Sequence, residues 1–184
     1  MNTCRVLRVV PGGVLCGIMN YTDWLKIVPK EFAEDTLWRM EVYRISLFAG
    51  DVAWRDVTKL MQDRRTMDLS GQLYSAVGSV SGNIAEGYSR GSRKDQVRFY
   101  EYSPGSARES RNWNFEGRHI LGESISNHRI QLHTQIIRHL LKIIPAERGY
   151  GLKEEHAPYN TGETIPFENL LENVPMLHES PATQ

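Results

Sequence analysis

Four cations, Arg90, Arg93, Lys94 and Arg98, fall within nine residues where the run SGNIAEGYSRGSRKD, Ser81 to Asp95, changes from small and aliphatic to basic. Cations beside the start of a helix suit phosphate oxygens, because the helix N-terminus adds about half a positive charge and unpaired N–H donors. Binding built this way is indifferent to base sequence and sensitive to salt. The plainer alternative is a solvated surface, with Arg90 or Arg98 paired to a nearby acid. Tyr88, Phe99 and Tyr100 are the aromatic residues near the turn that could stack on bases, and the last two also fit a core. Arg90, Arg93, Lys94 and Arg98 are therefore the expected nucleic-acid contacts.

Asn83 and Glu86 stand three apart and so share a helical face. With Gly87 they are expected to form a structural network of buried hydrogen bonds at a helix end, in preference to a general acid or base. Glu116 and His119 have the Glu-x-x-His spacing that puts two metal ligands on one face, as in di-iron bundles. Such sites need a second copy and further glutamates, and the sequence holds no second copy, so neither metal nor cofactor is expected. His119 is expected to pair instead with Glu123, four residues on. His128, His133 and His139 sit in one helical segment, His133 in register with Ile130 and Ile137, which suits hydrogen-bonded core or interface residues. Arg129 and His133 lie too close in sequence for the Arg-to-His spacing of ribonucleases built on small helical bundles. Ser-His-Asp order, a phosphate-cradling glycine loop after a strand and a CxxC pair are all missing from the sequence, so an enzyme is not expected.

The elements that position these residues read as helices. Trp38, Val42, Ile45, Ala49, Val52 and Leu60 recur three or four apart in most steps, with Arg39, Glu41, Arg44, Asp51, Arg55 and Asp56 between them, which predicts a helix from about Asp35 to Leu60. A polar connection, Gln62 to Met67, leads to a second helix carrying Leu69, Leu73, Val77, Val80 and Ile84. Its other faces hold Gly71, Ser75, Gly78, Ser79 and Gly82; each interior glycine costs about 1 kcal/mol relative to alanine, so close approach of a neighbouring backbone, a second subunit included, is expected to offset it. Gly87 is expected to end this helix in the left-handed conformation. Ser92 to Asp95 has the form of a capping box and opens a third helix that ends near Gly122, with a kink expected at Ser103 to Gly105 because Pro104 removes a hydrogen bond. The fourth helix runs from about Ser124 to Ile144, stopped by Pro145. No strand alternation competes with these four.

Trp38-Arg-Met-Glu-Val-Tyr43, Gln72-Leu73, Ser79 to Gly87 (SVSGNIAEG), Arg90, Arg98-Phe99 and Gly105-Ser-Ala-Arg-Glu109 resemble the four helix bundle protein family. This family is encoded in intervening sequences of bacterial 23S ribosomal RNA genes and includes accessory proteins of diversity-generating retroelements. The resemblance covers about Tyr21 to Gly149. It implies an all-α, antiparallel up-and-down four-helix bundle that assembles as a ring-shaped homopentamer. For the retroelement members it further implies association with nucleic acid and a reverse transcriptase.

At 184 residues and 21.1 kDa the chain can bury one core, and its formal charge of +0 gives no overall field toward nucleic acid or an anionic membrane. The charge is unevenly placed: residues 37–149 hold 17 Lys and Arg against 12 Asp and Glu, whereas residues 150–184 hold 1 against 6. Residues 150–184, acidic and proline-containing, are expected to form a disordered tail after a helical domain over 21–149. Residues 1–20 are expected to be an extension, with Met19 as an alternative start. Cys4 and Cys16 supply no disulfide framework, the apolar run before Met19 is broken by Pro11-Gly12-Gly13, and no run reaches the ~18 residues of a membrane span, so a cytoplasmic setting is expected, and the resemblance implies a bacterial one. Together these features predict a non-catalytic, oligomeric scaffold that makes weak electrostatic contact with nucleic acid in a nucleoprotein complex. The alternative is a purely protein–protein assembly factor whose acidic tail engages a basic partner, and an unrecognised hydrolase ranks third.

Overall fold

Helices account for nearly all of the chain that the computed structural model describes, namely residues 8–9, 15–16, 20–148 and 166–177. The exception is a pairing that the sequence did not suggest: β1 (Arg8–Val9) and β2 (Leu15–Cys16) are antiparallel, each too short to leave an alternating pattern. Asn20 caps α1 (Tyr21–Ile27) by accepting from the backbone N–H of Asp23 at 2.8 Å. Trp24 of α1 is buried against the rings of Trp38 and Phe48, and its indole N–H donates to Asp51. After α2 (Lys30–Ala33) the Asp35 carboxylate accepts from Leu37 N–H at 2.8 Å and starts a 3-10 turn over Thr36–Arg39. Met40 is extended, so α3 is Glu41–Leu60 and not a helix running from Asp35.

Val42, Ile45, Ala49, Val52 and Leu60 form the buried face of α3, at the predicted spacing. α4 (Met67–Tyr88) packs against α3 and along α5 (Arg93–Glu116), and α7 (Glu123–Arg148) packs along α5 and meets α3. The core between them is centred on Phe48, Leu73, Val77, Ile84, Ala107, Leu132, Ile136 and Leu140. Buried polar groups on these helices are mostly satisfied by nearby carbonyls, as when Ser103 Oγ donates to Val80 O at 3.2 Å across α4 and α5.

Several helix ends differ from those predicted, each for a local reason. Gly87 is helical and buried inside α4, and its φ is not positive. What requires glycine there is contact: a Cβ would lie 2.8 Å from Tyr100 Cδ1 and Cε1 and 3.0 Å from Gln96 O. Among the described residues the glycine with positive φ is Gly122, at 88°, where it follows the short α6 (Arg118–Leu121) that Gly117 separates from α5. α5 continues through Pro104 and α7 through Pro145 without a break in helix, although each proline forfeits the bond to the carbonyl four residues back. Buried neighbours hold both segments: Ser103 and Ala107 around the first, Leu140 and Ile144 before the second.

Within the chain, the small residues of α4 do not serve as a close-packing surface. Gly71, Gly78 and Gly82 are exposed and a Cβ on any of them would meet nothing within 4 Å. The acidic tail is likewise not uniformly without structure, because α8 (Phe167–Glu172) packs on α7 and α1 and buries Leu170, Leu171 and Val174. The rest of the expected tail and most of the expected N-terminal extension lie outside the described residues.

Candidate functional site

The α4–α5 turn brings all four predicted cations to the surface, where Arg90 and Arg98 are held by neighbouring side chains. Arg90, one helical turn beyond Glu86, forms an ion pair with it, and its guanidinium lies 4.4 Å from the centre of the Phe99 ring. Arg98 donates from Nε to the Tyr102 hydroxyl at 2.8 Å and leans over that ring at 5.9 Å. Arg93 and Lys94 occupy the first turn of α5, which Ser92 caps by accepting from Asp95 N–H at 3.5 Å. Only the serine half of the expected capping box is made among the described residues. Arg93, Lys94 and Arg98 are exposed beside the N-terminus of α5, the positive end of its dipole.

The helix-end network expected of Asn83, Glu86 and Gly87 does not form. Glu86 is exposed and turned to Arg90, Asn83 is half-buried with no side-chain hydrogen bond among the described residues, and Gly87 acts by making room for Tyr100. Glu116 and His119 fall on different helices, separated by Gly117, and both are exposed. Glu123 approaches Arg118 at 3.9 Å in place of His119. Among the described residues no cluster of His, Cys, Asp and Glu could hold a metal.

A second constellation was not read from the sequence. Asp56 of α3 and Arg129 of α7 form a buried ion pair, their side chains 1% and 3% exposed, with Arg129 Nε donating to Asp56 Oδ2 at 2.7 Å and Nη2 to Oδ1 at 3.2 Å. Arg129 Nη1 lies 2.9 Å from His128 Nδ1, and since a guanidinium can only donate, Nδ1 must accept and His128 carries its proton on Nε2. That Nε2–H donates to the carbonyl of Leu170 at 2.7 Å, while Arg129 Nη2 also donates to the carbonyl of Pro175 at 3.0 Å. Burial holds the imidazole of His128 near the neutral form, with its pKa lowered to about 4; the Arg129 charge adds to the shift and the Leu170 carbonyl opposes it. His133, one turn further along α7, is fully enclosed with Nδ1 unpartnered among the described residues, and burial followed by the charges of Arg129 and Arg111 takes it to about 3. Burial likewise pushes the Asp56 carboxyl up, opposed by the attraction and hydrogen bonds of Arg129.

The chain's own residues 166–177 lie over this network as a strap. Leu170, Leu171 and Val174 are its apolar anchors. Glu172 Oε1 accepts from Thr22 N–H at 3.2 Å and from Thr22 Oγ1–H at 2.6 Å, and the Phe167 ring sits 5.2 Å from that of His139. A signal for the network was present: Asp56 follows Val52 and precedes Leu60 by four residues, and Arg129 stands between Ile125 and Leu132, so both charges occupy core register. Opposite charges at buried positions of two helices point to each other, because neither is stable there alone.

Residues 39–144, more than half of the chain, match the family model described as 23S rRNA-intervening sequence protein. Comparison with the curated proteins and with the solved structures finds no match to this chain.

Proposed function

The chain belongs to the 23S rRNA-intervening sequence protein family, and from that membership we propose a non-catalytic helical scaffold of the bacterial cytoplasm, oligomeric, that holds nucleic acid weakly through the α4–α5 turn. The observation that carries the nucleic-acid part is the exposure of Arg93, Lys94 and Arg98 at the N-terminus of a 24-residue helix. Phosphate oxygens would meet side-chain charge and helix-end N–H donors together. Arg90, already paired with Glu86, contributes less than the sequence suggested.

The scaffold is an antiparallel up-and-down four-helix bundle of α3, α4, α5 and α7. Contacts in which rising numbers on one helix meet falling numbers on the next support this: Leu60 with Thr66 and Trp54 with Tyr74, Val80 with Ser103, Asn114 with Ser126 and Arg111 with Thr134. Asp56 with Arg129 and Glu41 with His139 close the cycle between α3 and α7. Association into a ring of five follows from the resemblance, and the outer face of α3 and α4 favours it. Trp54, Met61, Met67 and Tyr74 are exposed there, Trp54 by 60%, alongside glycines that have open space around them. Apolar groups gathered on one face in this way mark contact surfaces. A non-catalytic role is favoured because His128 and His133 are buried and held neutral, which withdraws them from proton transfer with solvent.

Mass by light scattering and anisotropy of labelled single- and double-stranded oligonucleotides at low salt test both parts. The double variant Arg93→Glu/Lys94→Glu should weaken binding for every sequence alike and reduce the slope of log K against log salt by about 2. A flat titration of the unmodified protein at low salt removes the nucleic-acid role, and a single-chain mass removes the ring.

A further inference from the structure

The strap is held in a manner that does not depend on its being part of this chain. His128 Nε2–H and Arg129 Nη2 donate to main-chain carbonyls, those of Leu170 and Pro175, and a carbonyl is offered by any peptide. Side-chain selection rests on Leu170, Leu171 and Val174, which fill the trough between α1 and α7, and on the Glu172 carboxylate against Thr22. The donors are fixed from behind. Asp56 orients the guanidinium of Arg129 through two bonds, and Arg129 sets the tautomer of His128, so the outward N–H groups are aimed by contacts within the bundle itself. All three residues of this floor lie inside the family-matched region 39–144, whereas the strap lies outside it.

We propose that the trough over Asp56, His128 and Arg129 is a peptide-binding site, that residues 166–177 occupy it as a tethered ligand, and that a partner protein's segment of the same chemistry can take their place. The fitting segment is a short helical turn with two adjacent large aliphatic residues, a third aliphatic residue three positions on, and a carboxylate directly after the pair. The tether sets the terms of exchange. A covalently attached ligand acts at an effective concentration on the order of millimolar, so a free peptide of equal intrinsic affinity competes poorly until the strap is loosened. The site is separate from the cationic turn on α5, and its failure or success leaves the nucleic-acid role untouched.

The test uses the full chain. In the variant Leu170→Asp/Leu171→Asp the strap loses its two adjacent anchors, and a fluorescein-labelled peptide of residues 166–177, PFENLLENVPML, is titrated against it by anisotropy. Saturable binding is expected, at least about tenfold tighter than to the unmodified chain, where the tethered strap competes. The same peptide carrying both Asp substitutions should not bind. A variant that keeps its helical circular dichroism and binds no peptide overturns the proposal. If the variant is unfolded, hydrogen exchange on the unmodified chain decides. Amides of 167–174 are expected to exchange through a local opening, faster than those of α3 and α7, and faster still with excess peptide. Exchange only together with the whole bundle makes the strap an inseparable part of the core and overturns the proposal equally.

Discussion

Asp56→Ala should be among the most destabilising single substitutions in the molecule. It removes both acceptors that Asp56 offers to Arg129 and leaves a guanidinium 3% exposed with only His128 Nδ1 and the Pro175 carbonyl to receive its protons. Breaking a buried pair from one side typically costs about 3–5 kcal/mol. Against a usual domain stability of roughly 5–15 kcal/mol that is a large share of the total. Arg129→Met should cost less at mildly acidic pH than at neutral pH, because the abandoned Asp56 can neutralise itself by taking a proton. Asp56→Ala/Arg129→Met removes both charges. It should recover much of either single loss, a coupling of about 2–3 kcal/mol, within the range seen for contacting residues. The measurement is urea unfolding followed by far-ultraviolet circular dichroism, at one fixed protein concentration so that any association contributes equally. A cost for Asp56→Ala under about 1 kcal/mol, or single losses that simply add in the double variant, would refute the account of the pair as mutually dependent buried charges.

His128 and His133 should give the fold a pH dependence on the acid side of pH 6.5. Burial lowers their pKa values to about 4 and about 3, below the ordinary 6.5, so their contribution is present in full above pH 6.5 and is lost as pH falls to about 4 for His128 and about 3 for His133. Each accounts for up to about 1.4 kcal/mol per pH unit in that window. His133→Leu should roughly halve the slope, and an unfolding free energy that stays flat from pH 7 to pH 5 would rule the mechanism out. Gly87→Ala should destabilise by about 1–3 kcal/mol through collision with the Tyr100 ring, net of the helix propensity gained, as read from thermal unfolding. A neutral or stabilising outcome there would mean that the ring moves aside freely.

The four long helices were legible because their apolar residues recur at helical spacing and because Ser92 marks a start that the structure keeps. Ends were less legible, since a local rule and a packing constraint can ask for the same residue. Glycine at 87 satisfied the rule for a helix stop, yet it is there to admit Tyr100; among the described residues the stop that uses a glycine with positive φ is at 122. Pro104 and Pro145 weigh against helix locally, but the burial of their neighbours outweighs one lost hydrogen bond apiece. The cationic turn was found in place, with Arg90 diverted to Glu86, a pairing that the spacing of four residues allowed for. The buried network stayed hidden because Asp56 was grouped with the solvated charges around it although it keeps core register. The strap stayed hidden because three aliphatic residues inside an acidic stretch are too few to outweigh its composition, and their significance depends on a surface formed by residues far away in sequence.

The clasp between Thr22 and Glu172 joins groups 150 positions apart. During synthesis α1 emerges early and must wait, its threonine hydrated, while all the long helices are made and find one another. Only after Glu172 has left the ribosome can the two ends be buttoned together. A nascent chain interrupted before Phe167 would leave the ring of His139 bare and the outward donors of His128 and Arg129 open to water, however well its long helices had gathered.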